Sequence, residues 1–305
     1  MLEHVSSIPF AKSMSRTSKL MKGFRRYKLD LFLALPGVLL LFTFYVAPVV
    51  AVFFASFTRW PIIGDPRWVG LQNYRLLMTD EIFLKSLLNT LYYAALIVPS
   101  LTIFSFIMAL ILRSITKGRE FFKAIFVFPM VVTLVSTATI WKGMFLPFGP
   151  INAILEFFGL QPIQFLSTEH VKNTLSFVLI WRDVGYFAIF YLAGLEQIPE
   201  EIIDASRVDG ANAFQRFTKI IWPTMRPIVL LVSVLATIGS FMIFTLVYVT
   251  TRGGPAYASE ALLNYIYDVG WKEFRMGYAA AAAVIYFVIL FLLNSFQRLV
   301  FGREK

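Results

Sequence analysis

The sequence predicts an all-α fold, a polytopic membrane helical bundle with six transmembrane helices, and three observations carry that prediction. Hydrophobic residues make up 58% of the 305 and charged residues only 15%. The apolar residues fall in long blocks instead of scattered core-facing positions, a surface that a soluble domain has no interior to hide. Lys and Arg, finally, gather on alternate segments between those blocks. A helix needs about 20 mostly apolar residues to cross the hydrocarbon layer. With no water there, its backbone groups must pair within the segment. A transmembrane β-barrel would show short alternating runs instead.

The first block, 31–57, follows a basic stretch. Its apolar run is about twice the ~7–15 residues of a signal-peptide core, so it reads as an uncleaved span. The second, 87–112, carries Pro99, and the third and shortest, 124–141, carries Pro129; with Pro36 and Pro48 in the first, these are candidate kinks. The fourth, 173–195, holds two charged residues side by side, Arg182 and Asp183. The fifth, 227–249, contains Gly239-Ser240, a pair suited to close helix packing or to a bend lining a passage. The sixth, 277–301, opens on the alanine run 279–283, which invites the same packing reading. The domain layout is thus a basic tail at 1–29, a membrane domain at 30–301 with a polar loop at 196–226, and a short tail at 302–305.

Lys and Arg near span ends stay on the cytoplasmic side. The tail carries Lys12, Arg16, Lys19, Lys22, Arg25, Arg26 and Lys28. With that tail inside, six spans also place 113–123, 196–226 and the C-terminus inside, and these segments, with Arg298 near the inner end of the sixth span, hold 18 of the 28 Lys and Arg. Nine fall outside, among them Arg59, Arg67, Lys272 and Arg275, and Arg182 lies within a span. The formal charge of +10 is therefore chiefly a topology signal, with basic tails facing anionic headgroups of the lipid bilayer. No nucleic-acid recognition motif accompanies it. The absence of cysteine excludes disulfides and thiolate chemistry.

The loop between the fourth and fifth spans is the most informative segment. It reads as two short helices joined by a turn. Pro199 suits a first helical position, Glu200 and Glu201 complement the positive end of the dipole, and Arg207 the negative end. Gly210 permits the left-handed conformation that ends a helix. Asn212 followed by Gln215 forms a capping-box pattern opening the second helix, which Pro223 and Pro227 are expected to stop.

The same segment resembles the loop motif of ATP-binding-cassette importer permeases: Glu-Ala-Ala, three residues, Gly, nine residues, Ile, one residue, Leu-Pro. Asp204-Ala205-Ser206, Gly210, Ile220 and Trp222-Pro223 stand at that spacing, with Asp for Glu, Ser for Ala and Trp for Leu. Further segments look like the sugar and glycerol-3-phosphate branch of the family: Val69-Gly70-Leu71-Gln72-Asn73-Tyr74, Asn89-Thr90, Phe148-Gly149-Pro150-Ile151-Asn152, Glu196-Gln197-Ile198-Pro199 and Gly253-Gly254-Pro255. The resemblance implies a type I importer permease core in a bacterial or archaeal inner membrane, with both termini cytoplasmic. It implies four kinds of partner: a second homologous permease subunit, two ATPase subunits that bind ATP and Mg, an extracytoplasmic solute-binding protein, and a carbohydrate substrate. It makes Asp204, Ala205, Ser206, Asp209, Gly210, Ile220 and Pro223 the ATPase-coupling residues. Ala205 allows close approach, Gly210 a turn without a side chain, and Asp204 a basic partner group. The chain lacks a Gly-x-x-x-x-Gly-Lys-Ser/Thr phosphate loop, so no cofactor is expected in it and ATP is expected on a separate subunit.

Arg182 and Asp183 are the first candidates for the substrate path, because an intramembrane charge is costly unless it faces protein or a water-filled cavity. Tyr186 lies at helical spacing from both, and Ser240 on the fifth span completes the candidate set. An ion-gradient-driven secondary transporter is the alternative, but Asp183 is the sole acidic residue well inside a predicted span and no internal repeat is evident. An enzyme is disfavoured: the two histidines, His4 and His170, lie outside the spans, and no His-Glu-x-x-His motif occurs.

Overall fold

The computed structural model describes residue 30 and residues 32–302; the basic tail at 1–29, Leu31 and residues 303–305 lie outside the described residues. The chain forms two compact units, one ending at Phe54 and one beginning at Ala55. The helix α1 (Phe32–Ala55) spans 24 residues with mean hydropathy 2.5 and contains one π turn at Phe42–Val46.

The second unit opens with a hairpin of β1 (Thr58–Arg59) and β2 (Arg67–Trp68) and the short α2 (Gln72–Leu77). The helix α3 (Glu81–Ser114) then runs 34 residues, which at about 1.5 Å per residue outreaches the ~30 Å hydrocarbon layer. Its early start, six residues before the predicted span, is set by Asp80, whose Oδ1 caps the amides of Ile82 (2.9 Å) and Phe83 (3.0 Å). Pro99 lies inside the helix without ending it.

The predicted third span, 124–141, is not one rod. It is α4 (Arg119–Val131) and α5 (Leu134–Met144), bent by 90°. Val132 and Thr133 are extended, and Thr133 Oγ1 accepts from the amide of Ser136 at 3.2 Å, starting a new helix. A hydropathy window averages across such a cap.

After α6 (Pro150–Phe157) come α7 (Val171–Glu196), α8 (Glu200–Val208) and α9 (Ala213–Arg216). Pro223 and Pro227 do not stop the last of these. The chain continues through a π turn at Phe217–Ile221 into α10 (Trp222–Phe241) and, past Met242–Ile243, into α11 (Phe244–Thr250), one span of 38 residues. A proline ring strikes the carbonyl four residues back and leaves an amide bond unmade. The wider turn just before Pro223, in which the Trp222 amide reaches Phe217 O, relieves both. The short α12 (Leu262–Tyr267) and the 26-residue α13 (Met276–Phe301) complete the unit. The described residues thus hold five helices long and apolar enough to cross a membrane, or six with the bent pair as one span.

The main core lies where α3, α7 and α10 meet, with Tyr93, Ile97, Tyr191, Leu195, Met225 and Val232 fully buried. Gly185 lets α4 approach, since a Cβ there would sit 1.8 Å from Phe126 O. Gly239 does not pack this way: a Cβ on it would meet nothing within 4 Å. The alanine run does pack, and Ala279, Ala281 and Ala282 join Leu77, Phe83, Leu262 and Tyr265 in a second core at the end of the bundle opposite the 199–223 loop.

Buried asparagines latch the loops at that end. Asn73 Nδ2 donates to Ser56 O and Thr58 O, Asn89 Nδ2 to Tyr257 O and Glu260 O, and Asn152 Nδ2 to Leu146 O, Pro147 O and Ile163 O. Asp80 Oδ2 accepts from the hydroxyls of Tyr265 (2.7 Å) and Tyr278 (3.0 Å). Burial works to raise this carboxyl, but the hydrogen bonds from Tyr265, the Phe83 amide, Tyr278 and the Ile82 amide together hold it below its ordinary value.

Glu260 is only 4% exposed. Its carboxyl is pushed up to about 7, first by burial and then by the charge of Asp268, with Lys272 opposing. Because the folded pKa lies above the ordinary 4.5, the folded state holds the proton longer than the unfolded one, and stability falls as pH rises from about 4.5 to about 7. Glu260→Gln is expected to flatten that decline and to raise the thermal midpoint at pH 8. Midpoints of the purified complex measured between pH 5 and 8 check this, and a wild-type midpoint constant across the window counts against it.

Candidate functional site

The loop is built on a firm base. At the end of α7, Glu196 Oε1 pairs with Arg119 Nη2 of α4 at 2.5 Å, and Ile198 is 3% exposed. Pro199 takes the N-cap of α8 with extended ψ of 135°, one position earlier than its expected place, and Glu200 and Glu201 fill the first turn. The helix ends as the glycine anticipates. Gly210 has φ of +78°, its amide donates to Arg207 O at 3.1 Å, and the Ala211 amide donates to Ser206 O at 2.9 Å, the paired bonds of a Schellman terminus. The capping box is complete: the Gln215 amide donates to Asn212 Oδ1 at 2.8 Å and the Asn212 amide to Gln215 Oε1 at 2.9 Å.

Apolar side chains root this hairpin in the bundle. Ile203, Phe217, Ile220, Ile221 and Trp222 pack against the main core, and the Phe217 ring meets Phe106 at 5.9 Å and Trp222 at 6.2 Å. The opposite surface is presented to solvent. Asp204, Ala205, Asp209, Gly210 and Pro223 are exposed, while Ser206 is half-buried with its hydroxyl on Ile203 O at 2.6 Å. Asp204 pairs with Arg207 at 2.7 Å, both on the surface. Among these polar groups stand two bare apolar side chains, Val208 at 88% and Phe214 at 74% exposure. Neither residue stands out from the sequence alone, nor does the Arg119–Glu196 pair. An apolar residue two positions before the helix-ending glycine was the available signal for Val208; the ion pair joins residues 77 apart and had none.

In α7, Arg182 Nη1 donates to Asp183 Oδ1 at 2.8 Å, with side-chain exposures of 17% and 15%. Arg182 Nε is buried with no partner among the described residues. The Tyr186 ring, half-buried, lies edge-on to Phe187 (5.3 Å) and Phe190 (5.1 Å). Ser240 is fully buried and its hydroxyl donates to Thr237 O of its own helix at 2.8 Å. The structure therefore joins Arg182 to Asp183, and places Tyr186 in an aromatic cluster and Ser240 in the packed face of α10.

Residues 76–305 match the family described as the inner membrane component of binding-protein-dependent transport systems. The chain is 33% identical over 265 residues, 85% of each chain, to the "Probable ABC transporter permease protein YesP" of Bacillus subtilis. It is 30% identical over 282 residues, 90% of this chain and 93% of the relative, to the trehalose/maltose transport system permease protein MalF of Thermococcus litoralis. Its fold matches a chain in the crystal structure of a bacterial ABC transporter that imports the acidic polysaccharide alginate, with a TM-score of 0.80 at 23% identity over 94% of this chain and 99% of that one. The spans, the capped loop and the family match agree: the chain belongs to the binding-protein-dependent transport system inner membrane component family and is a non-catalytic, membrane-spanning permease subunit of an ABC importer.

Proposed function

We propose that this permease forms half of a translocation pathway for a carbohydrate and is driven by a separate ATPase through the 199–223 loop. The observation that carries the reading is the loop's construction: a surface rooted by Ile203, Phe217 and Trp222, capped at both inner helix ends, and exposed on its outer side. A ledge whose shape is fixed in advance transmits movement, where a mobile loop would absorb it. Asp204, Ala205, Ser206, Asp209, Gly210, Ile220 and Pro223 shape this ledge. A cytoplasmic position for this ledge and for both termini is supported by the Lys and Arg distribution.

The partners in this reading are a second homologous permease, two ATPase subunits that bind ATP and Mg, and an extracytoplasmic solute-binding protein, in a bacterial or archaeal inner membrane. ATP closes the ATPase dimer, the ledges carry that closure to the spans, and the cavity opens outward to the docked binding protein. Hydrolysis resets it. The carbohydrate cargo is supported by the trehalose/maltose name of a relative that the chain matches along most of its length. In the fourth span, the Arg182–Asp183 pair is the polar point of the path: a guanidinium carries N–H donors beyond the one that Asp183 accepts, and these suit a hydroxyl.

Proteoliposomes holding the assembled complex test this. Uptake of radiolabelled maltooligosaccharide or trehalose is expected to require ATP inside and binding protein outside, and to survive ionophores. Uptake that ignores ATP and collapses with the ion gradient overturns the proposal.

A further inference from the structure

At the end of the bundle away from the ledge, the hairpin register sets Arg59 directly across from Arg67. Like charges facing each other across a strand pair oppose that pairing, and neither guanidinium has an ion-pair partner among the described residues. A third arginine joins them. Arg275 bridges backbone to backbone with Pro61, lies 4.0 Å over the Tyr278 ring, and reaches Glu273 at 3.3 Å. The hairpin is held rigidly in place: the Gly277 amide donates to Trp60 O at 3.3 Å, and a Cβ on Gly277 would sit 1.9 Å from Thr58 O. Asn73 fixes the other side through Ser56 O and Thr58 O. These elements enclose an open cleft of about 820 Å³, its lining including the three arginines, Trp60, Phe274 and Tyr278, with Asp65 and Glu273 as the acidic members.

We propose that this cleft is a docking seat for a carboxylate-bearing segment of the solute-binding protein. The proposal rests on the importer reading and on the orientation given above, which put the cleft on the extracytoplasmic face. A guanidinium fork matches a carboxylate in a bidentate way, and an incoming Asp or Glu relieves the Arg59–Arg67 opposition. Arg, Trp and Tyr are the residue types that carry most energy at protein interfaces, and the surround is apolar and bare, with Ile63 91%, Trp68 68% and Phe274 57% exposed. The mixed lining selects a protein over a simple anion. A phosphate headgroup would meet the carboxylates of Asp65 and Glu273 as well as the arginines, whereas a protein segment brings both signs. Because backbone bonds already fix the hairpin, docking orders little new chain.

The test uses the full complex in nanodiscs and its purified, solute-loaded binding protein, comparing wild type with Arg59→Gln/Arg67→Gln and Arg59→Glu/Arg67→Glu. The Gln pair is expected to weaken docking about tenfold and the Glu pair about a hundredfold, and both to lessen its dependence on salt. Assembly with the partner subunits, read by size exclusion, is retained. Docking that stays at wild-type affinity in both assembled variants overturns the proposal. So does weakening seen only in nanodiscs of anionic lipid and absent in zwitterionic ones, which would make the cleft a headgroup site. Failure of the wild-type complex to bind any binding protein or to hydrolyse ATP would instead sink the importer reading beneath it.

Discussion

Replacing Val208 by Asp is expected to leave the membrane domain folded while abolishing ATP-driven uptake. The side chain is 88% exposed, so the chain itself loses no core contact. Seated in an ATPase groove, by contrast, a buried valine contributes about 1.5–3 kcal/mol, and a carboxylate in its place adds a desolvation cost. Each 1.4 kcal/mol is about tenfold in association, so the ATPase should co-purify at least about tenfold more weakly. Phe214→Asp, at 74% exposure, should behave alike. Gly210→Asp reaches the same end by another route. With φ of +78°, a side chain there strains the turn by about 1–2 kcal/mol and tilts α8 against α9. Co-purification with the ATPase and uptake into proteoliposomes are the measurements. Wild-type behaviour of all three variants would remove the ledge from the mechanism.

Arg182→Ala is expected to destabilise the permease by about 3–5 kcal/mol, the cost of leaving one partner of a buried ion pair uncompensated. At 17% and 15% exposure, with Nη1 and Oδ1 2.8 Å apart, the pair is shielded enough for that penalty to apply. Arg182→Met/Asp183→Leu removes both charges and should recover most of the thermal midpoint, since isosteric apolar replacement of a buried pair is near neutral. Transport by the double variant should nevertheless stay at least about tenfold below wild type, because the proposed path would lose its polar point. Thermal midpoints in detergent and initial uptake rates separate the two effects. A double variant that transports at the wild-type rate would show the pair to be structural alone.

How far these features can be read without coordinates depends on the range of the interactions behind them. The five long helices follow from hydropathy over one turn after another, and the Schellman turn at Gly210 and the capping box at Asn212 close within six residues. The 90° break at Val132–Thr133 was also local, but it rests on a single hydroxyl cap that a hydropathy average erases. Pro223 misled because its usual effect, stopping a helix, is undone by a π turn whose value lies in keeping Phe217 and Trp222 on the core. Asn73, Asn89 and Asn152 appeared in the sequence as family markers without a reason; the reason is carbonyls of distant loops, up to 171 residues away.

The sequence by itself determined the class of molecule, the five long apolar helices and the two-helix form of the ledge. Each of these depends on transfer of apolar surface out of water or on hydrogen bonds between near neighbours, which composition and spacing encode directly. Only the tertiary structure decided that Val208 and Phe214 stand bare while Ile203 and Phe217 are rooted, that Arg182 pairs with Asp183, and that Arg59, Arg67 and Arg275 share one cleft. Which face of a helix is covered, and which charges meet, is set by the packing of segments far apart in the chain, and no local pattern records it.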